Sequence, residues 1–325
     1  MQASQMTEIW RGPFLESVHQ GHAVVCNSEG GIEMSWGNSE RVVLPRSSSK
    51  MIQALPLITS GAADAFGLTS EHLALACASH RGEAMHTQRV SRWLDNLGLG
   101  DSDLRCGAHM PYNEETHHAM IRADESPSQW HNNCSGKHTG FLTLAKHLGA
   151  GPEYLELDHP VQKAVREASE RVTGEVASGY GIDGCSAPNF AFSLTAIARA
   201  MAHFAASPSG SAEARLHEAM RLHPELVAGN GRPCTELMRA TGGDVAIKTG
   251  AEAFYVAILP KLKLGIALKI DDGTTRASEC AMAAILVKLG VLEPDHPAAM
   301  AVMNAPVKNV RGIQTGWIRP APPLL

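Results

Sequence analysis

The chain has 325 residues, 44% of them hydrophobic and 19% charged, with a formal net charge of -5 at pH 7. This is an ordinary soluble composition, long enough for a large core and two lobes. The mild negative charge and the lack of a basic cluster with interleaved aromatics argue against nucleic-acid binding, and no apolar run approaches the ~20 residues of a membrane span. The first eight residues, Met1 to Glu8, lack the basic and apolar regions of a signal peptide, so a cytoplasmic protein is expected. Seven cysteines, widely spread and odd in number, read as thiols rather than as a disulfide framework.

In chain order, the first segment reads as β-structure. His22–Cys26 is β-branched and apolar, residues 27–31 form a turn, and Ile32–Trp36 alternates with period two. From Lys50 to about Ala240 the pattern is helical. It predicts helices over Met51–Ser60 (kinked at Pro56), Ser70–Cys77, Glu83–Leu97, Thr139–Leu148, Pro160–Arg171, Leu194–Ala206 and Ala212–Leu222. Strands return at Asp244–Lys248, Phe254–Leu259 and Gly265–Ile270. An alanine-rich helix over Thr275–Leu289 and a last strand over Val310–Ile318 follow. The simplest arrangement is α+β: residues 1–45 and 241–325 form one antiparallel sheet flanked by helices, and residues 46–240 form a mainly helical lobe. The expected active site lies in a cleft within this single compact unit.

The run Pro45-Arg46-Ser47-Ser48-Ser49-Lys50 organises the functional reading. With a helix starting near Ser47, Ser47 and Lys50 share a face, so a buried lysine amine can reach a serine hydroxyl. The helix start offers N–H groups to an oxyanion. A serine-rich N-cap before a solvated lysine accounts for the same residues. A second cluster, Ala78-Ser79-His80-Arg81-Gly82-Glu83, joins two helices, and Ser79 there is either functional or a cap for the next helix. Lys248-Thr249-Gly250 ends a short strand, supplying positive charge, a hydroxyl and a close backbone approach. The order Ser-x-x-Lys, serine, Lys-Thr-Gly is that of serine β-lactamase-type sites. The run from His131 to His138 and the distant stretch Gly181–Pro188 bring Cys134, Cys185, histidine and Asp183, a donor set able to hold zinc without a tight Cys-x-x-Cys.

Taken together, Arg46–Lys50, Ala78–Glu83, His131–His138, Asp183-Gly184-Cys185 and Lys248–Glu252 closely resemble the asparaginase II family, the rhizobial-type L-asparaginases. Cys106-Gly107-Ala108-His109 and Gly229-Asn230-Gly231-Arg232 also resemble it. The resemblance implies a fold like serine β-lactamases and penicillin-binding proteins, a homodimer, and hydrolysis of L-asparagine to L-aspartate and ammonia. It implies two serine–lysine pairs, Ser47 with Lys50 and Ser79 with Lys248, and a zinc site of Cys134, Lys137 and Cys185 that tunes substrate binding. Arg46, Arg81, Glu83, Asp183 and His138 are the candidates for holding the substrate. A glutaminase or β-lactamase-like acyl hydrolase on the same scaffold leaves the Asn132–His138 run unexplained. A non-catalytic zinc-binding sensor leaves both serine–lysine pairs unexplained.

Overall fold

The computed structural model describes residues 2–325. In chain order the strands are β1 (Ser4–Arg11), β2 (Phe14–Asn27), β3 (Ile32–Trp36), β4 (Val42–Val43), β5 (Gly179–Ile182), β6 (Pro188–Ser193), β7 (Ala246–Thr249), β8 (Phe254–Leu259), β9 (Leu264–Ile270), β10 (Ala305–Lys308) and β11 (Gln314–Pro320). The chain divides into two compact units. One comprises Met1–Ser48, Ser193–Ala206 and Pro233–Leu325; the other comprises Ser49–Phe192 and Ser207–Arg232. The helix Leu194–Ala206 therefore belongs with the sheet, although it follows the helical stretch in sequence.

The sheet unit is antiparallel, in the order β10-β11-β1-β2-β9-β8-β7, with β3 also pairing β2. Strand β2 is 14 residues long because it serves several neighbours. Its first part pairs β1, while Ala23–Cys26 pairs β3 and Gly21–Asn27 pairs β9. All six residues of β8 are buried, as expected of a central strand covered on both faces. Helices Leu194–Ala206 and Thr275–Lys288 supply that cover. The first lies so close that a Cβ on Gly265 would stand 2.1 Å from Ala202 N and 2.3 Å from Ala198 O. Only glycine fits there.

The helical unit is built around Ser135–His147, whose residues from Ser135 to Ala145 are all buried. A helix buried all round needs apolar or small residues on every face. Gly136 meets that demand, since a Cβ there would lie 2.4 Å from Leu75 O on the helix Ser70–Ala76. The β5–β6 hairpin, in register from Gly179↔Ala191 to Ile182↔Pro188, carries the turn that holds Asp183 and Cys185.

Several boundaries differ from the sequence reading. The helix expected over Met51–Ser60 is a 3-10 turn, Arg46–Ser49, followed by helices Lys50–Gln53 and Leu55–Thr59, with Pro56 seated in the first turn of the latter. A proline there removes no intrahelical hydrogen bond. The strand expected at Val310–Ile318 begins at Gln314, because Asn309 Oδ1 accepts from Arg311 N and Ile313 N and folds those residues into a turn.

Gly265→Ala is expected to destabilise the sheet unit by about 1–3 kcal/mol, the usual cost of overpacking a core. Chemical denaturation would show it as a lowered midpoint. An unchanged midpoint would mean that the helix yields freely.

Candidate active site

The turn Arg46–Ser49 starts from Arg46, in the sheet unit, which is held in the left-handed region at φ 51°. A non-glycine residue held there is strained, and such strain clusters at functional sites. Two of the three serines face inward. Ser48 Oγ donates towards Lys248 O (3.1 Å) and Phe254 O (3.2 Å), which pins the turn to the sheet. Ser49 belongs to the helical unit and is buried, its Oγ accepting from Asn189 Nδ2 at 3.3 Å. Ser47 is half-buried, which makes it the accessible hydroxyl of the three. Gly250 permits the close approach of this turn: a Cβ would lie 2.7 Å from Pro45 O and 2.9 Å from Ser48 Oγ. Lys248 is fully buried, and its Nζ donates to Thr249 O at 2.6 Å.

In the helical unit, Lys50 is 1% exposed. Its Nζ donates to Ala78 O, to Ser79 Oγ at 3.1 Å and to Asn133 O at 3.4 Å. Two carbonyls take two hydrogens, so the third direction of the amine is the one shared with a hydroxyl. Ser79 N–H in turn donates to Val227 O at 2.8 Å, which holds the serine on this loop. The sequence offers no signal for a Lys50–Ser79 contact.

Arg81 and Glu83 stand beside Gly229, which has φ 97°; a Cβ at Gly229 would lie 2.8 Å from Glu83 Oε1. That carboxylate oxygen is buried without a hydrogen-bond partner among the described residues. Burial pushes the Glu83 carboxyl above its ordinary pKa, against the pull of Arg81. An unsatisfied buried carboxylate is costly and marks a place where a ligand donor fits.

The Asn132–His138 run resolves into separate tasks. Asn132 Nδ2 holds Cys106 O and Gly107 O at 2.9 Å each. His80 accepts the Gly82 N–H on Nδ1, so its Nε2–H donates to Ser135 Oγ at 2.9 Å. Lys137 Nζ lies 3.0 Å from Cys185 Sγ. A hydrogen bond from Cys134 and the Lys137 charge hold the Cys185 thiol far below its usual pKa, whereas Cys134 keeps its proton and is raised. Burial opposes the Lys137 charge, but the two cysteines outweigh it and raise the lysine. His138 is fully buried, and its pKa is lowered chiefly by burial. Tyr154 Oη accepts from Arg105 N at 2.7 Å and lies within hydrogen-bond distance of His138 Nδ1, at 2.9 Å. Asp183 Oδ1 accepts from Gly184 N at 2.7 Å within the hairpin turn, and its charge also favours the Lys137 cation.

Cys134, Cys185 and Lys137 thus converge as two sulfurs and a nitrogen, a donor set that suits zinc. No group of three or more His, Cys, Asp and Glu side chains able to hold a metal occurs among the described residues, so a site here depends on the lysine nitrogen.

A family profile described as L-asparaginase II matches residues 7–320. The chain belongs to this family. No curated protein matches the chain. Among solved structures, it is similar to Mglu in its native form at 11% identity and a TM-score of 0.47, covering 85% of this chain and 66% of that one. Against the tris and glutamate form of Mglu it covers 64% of the longer chain, so it spans about two thirds of that protein. A β-lactamase from Mycobacterium bovis is 13% identical, with a TM-score of 0.36 over 82% of this chain and 94% of that one. An octameric penicillin-binding protein homologue from Pyrococcus abyssi is 12% identical, with a TM-score of 0.33 over 85% and 74%.

The raised Glu83 pKa has a stability consequence with a definite sign. A carboxyl whose folded pKa lies above its unfolded value favours folding only while protonated, and that advantage is lost as pH rises through the raised value. Glu83→Gln should therefore raise the thermal midpoint at pH 7. The gain should shrink towards zero as pH falls through the ordinary carboxylate range. A variant that loses stability at pH 7 would show that the charge is well solvated.

Proposed function

We propose that this member of the L-asparaginase II family hydrolyses L-asparagine to L-aspartate and ammonia by serine–lysine chemistry. The observation that carries this reading is the buried Lys50 amine, 3.1 Å from Ser79 Oγ and three residues from the accessible Ser47. Ser47 Oγ attacks the side-chain amide carbon, and Lys50, in its neutral form, takes the serine proton. Ser79 relays that proton from Lys50 to the departing nitrogen, so that ammonia leaves and an aspartyl ester remains on Ser47. Water then cleaves the ester by the reverse proton path. Lys248 adds positive charge for the developing oxyanion. Arg46 and Arg81 are the cations available for the α-carboxylate. Glu83 Oε1, lacking a partner, is the best-placed acceptor for the α-ammonium, with Asp183 as a further anion. His138, fully buried, supports the zinc loop rather than the substrate.

A second reading, with Ser79 as the nucleophile, is favoured by the same Lys50 contact. The two are separated by trapping. Ser47→Ala should cut ammonia release from asparagine by at least about 10³-fold with the fold intact, as removal of a nucleophile does. A reactive asparagine analogue should acylate the peptide containing Ser47. An ester on Ser79, with Ser47→Ala near normal, would transfer the nucleophile to Ser79. Glutamine, longer by one methylene, should be a poor substrate, because the extra length misplaces its carbonyl. Comparable kcat/KM for both amides would make the protein a glutaminase-type hydrolase.

Zinc is proposed at Cys134, Lys137 and Cys185, with Lys137 giving up its proton to ligate. Bound there, it would supply a fixed positive charge that shapes the substrate pocket. Cys185→Ala should lose zinc by elemental analysis and raise KM more than it lowers kcat. A folded, zinc-free enzyme with no turnover at saturating asparagine would refute that role. A homodimer is proposed on the family resemblance alone.

A further inference from the structure

The loop carrying His109 is anchored to the candidate site by contacts that the chemistry above does not use. Arg81 Nη2 donates to Tyr112 O at 2.8 Å, and Asn113 N donates to Arg81 O at 3.1 Å. Gly82, at φ 73°, lets Pro111 approach: a Cβ on it would lie 3.1 Å from Pro111 Cβ. The His109 and Tyr112 rings lie 4.7 Å apart. These contacts bring the His109 imidazole to the backbone of Asn133.

The tautomer of His109 follows from its two partners. Nδ1 lies 2.8 Å from the carbonyl oxygen of Met110, which can only accept, so Nδ1 carries the hydrogen. Nε2 is then free to accept, and Asn133 N–H donates to it at 3.1 Å. The carbonyl of the same residue faces the other way, accepting from His80 N at 3.2 Å and from Lys50 Nζ at 3.4 Å. The Asn133 N–H and C=O belong to successive peptide planes joined at its Cα, so the imidazole and the lysine amine hold the two sides of one backbone segment.

We propose that His109 is a positioning residue for Lys50: by accepting the Asn133 N–H it fixes the backbone that aims the Lys50 amine at Ser79. The side chain does not touch Lys50 or the reacting atoms. It sets where one of the lysine's two carbonyl acceptors stands, and so sets the direction left for the hydroxyl.

The inference rests on the amide-hydrolysis reading for its kinetic readout, so the test has an arm that does not. His109 is half-buried, and its removal leaves the core of the unit intact. His109→Ala should lower kcat for asparagine by about 10- to 100-fold, the usual cost of a misplaced catalytic group, while KM changes less than about threefold. His109→Gln, whose amide oxygen can take the place of Nε2, should restore kcat to within about threefold of wild type. Amide exchange at Asn133 should become fast in the alanine variant and stay slow in the glutamine variant. Wild-type kcat in His109→Ala, a glutamine variant no better than alanine, or a still-protected Asn133 amide would each overturn the proposal. Were the wild type inactive on asparagine, the functional reading would fall. The exchange arm, with the Lys50 Nζ position in a crystal structure of His109→Ala, would still decide this inference: a displaced amine sustains it and an unmoved one refutes it.

Discussion

A lysine amine removed from water must find hydrogen-bond partners inside the protein, or its burial is costly. Lys50 is in that position, and much of the helical unit can be read as the means of satisfying it. Its acceptors come from the end of the helix Ser70–Ala76 and from the loop ahead of the helix Ser135–His147. Those two helices must therefore pack closely, and Gly136 against Leu75 is what makes the approach possible. The same packing seats Cys134, the N-cap of the buried helix, and Lys137 in its first turn. The serine–lysine contact and the thiol cluster thus share one mechanical origin. A change that loosens either helix would disturb both.

The sequence points to candidate site residues where residue type alone is restrictive. Arg46–Lys50, Ala78–Glu83 and the Asn132–His138 run each place residues whose reactive atoms have few structural substitutes. The grouping of Cys134, Lys137 and Cys185 is what the family resemblance implies; residue types alone offer only the two cysteines, a histidine and Asp183. Geometry across the chain could not be read. The approach of Ser79 to Lys50 spans 29 residues, and the Tyr154–His138 bond depends on a loop with no pattern of its own. His109, part of a segment already marked as family-like, gave no hint that its partner is a backbone amide.

Fold legibility failed for equally physical reasons. β1 carries no strand signal in the sequence because its period-two alternation is broken: Thr7 is buried next to Met6, and a bulge falls between Gln5 and Thr7. β5 reads Gly-Tyr-Gly-Ile, a composition that favours turns. The helix Glu114–Arg122 buries only Met120, so little apolar periodicity marks it. By contrast, β8 and β9 were evident from their apolar runs, because burial on both faces leaves few polar positions.

The pairing of β1 with both β2 and β11 places the first strand between its sequence neighbour and one formed some 300 residues later, in register from Thr7↔Pro320 to Arg11↔Gly316. During synthesis the sheet therefore cannot close until residues up to Pro320 have left the ribosome. Residues 49–192, the larger part of the helical unit, emerge long before. Until β11 arrives, β1 offers an open strand edge to any passing chain, the kind of exposure that chaperones exist to cover. Production of this protein should be limited less by the stability of the finished fold than by the interval before β11 appears.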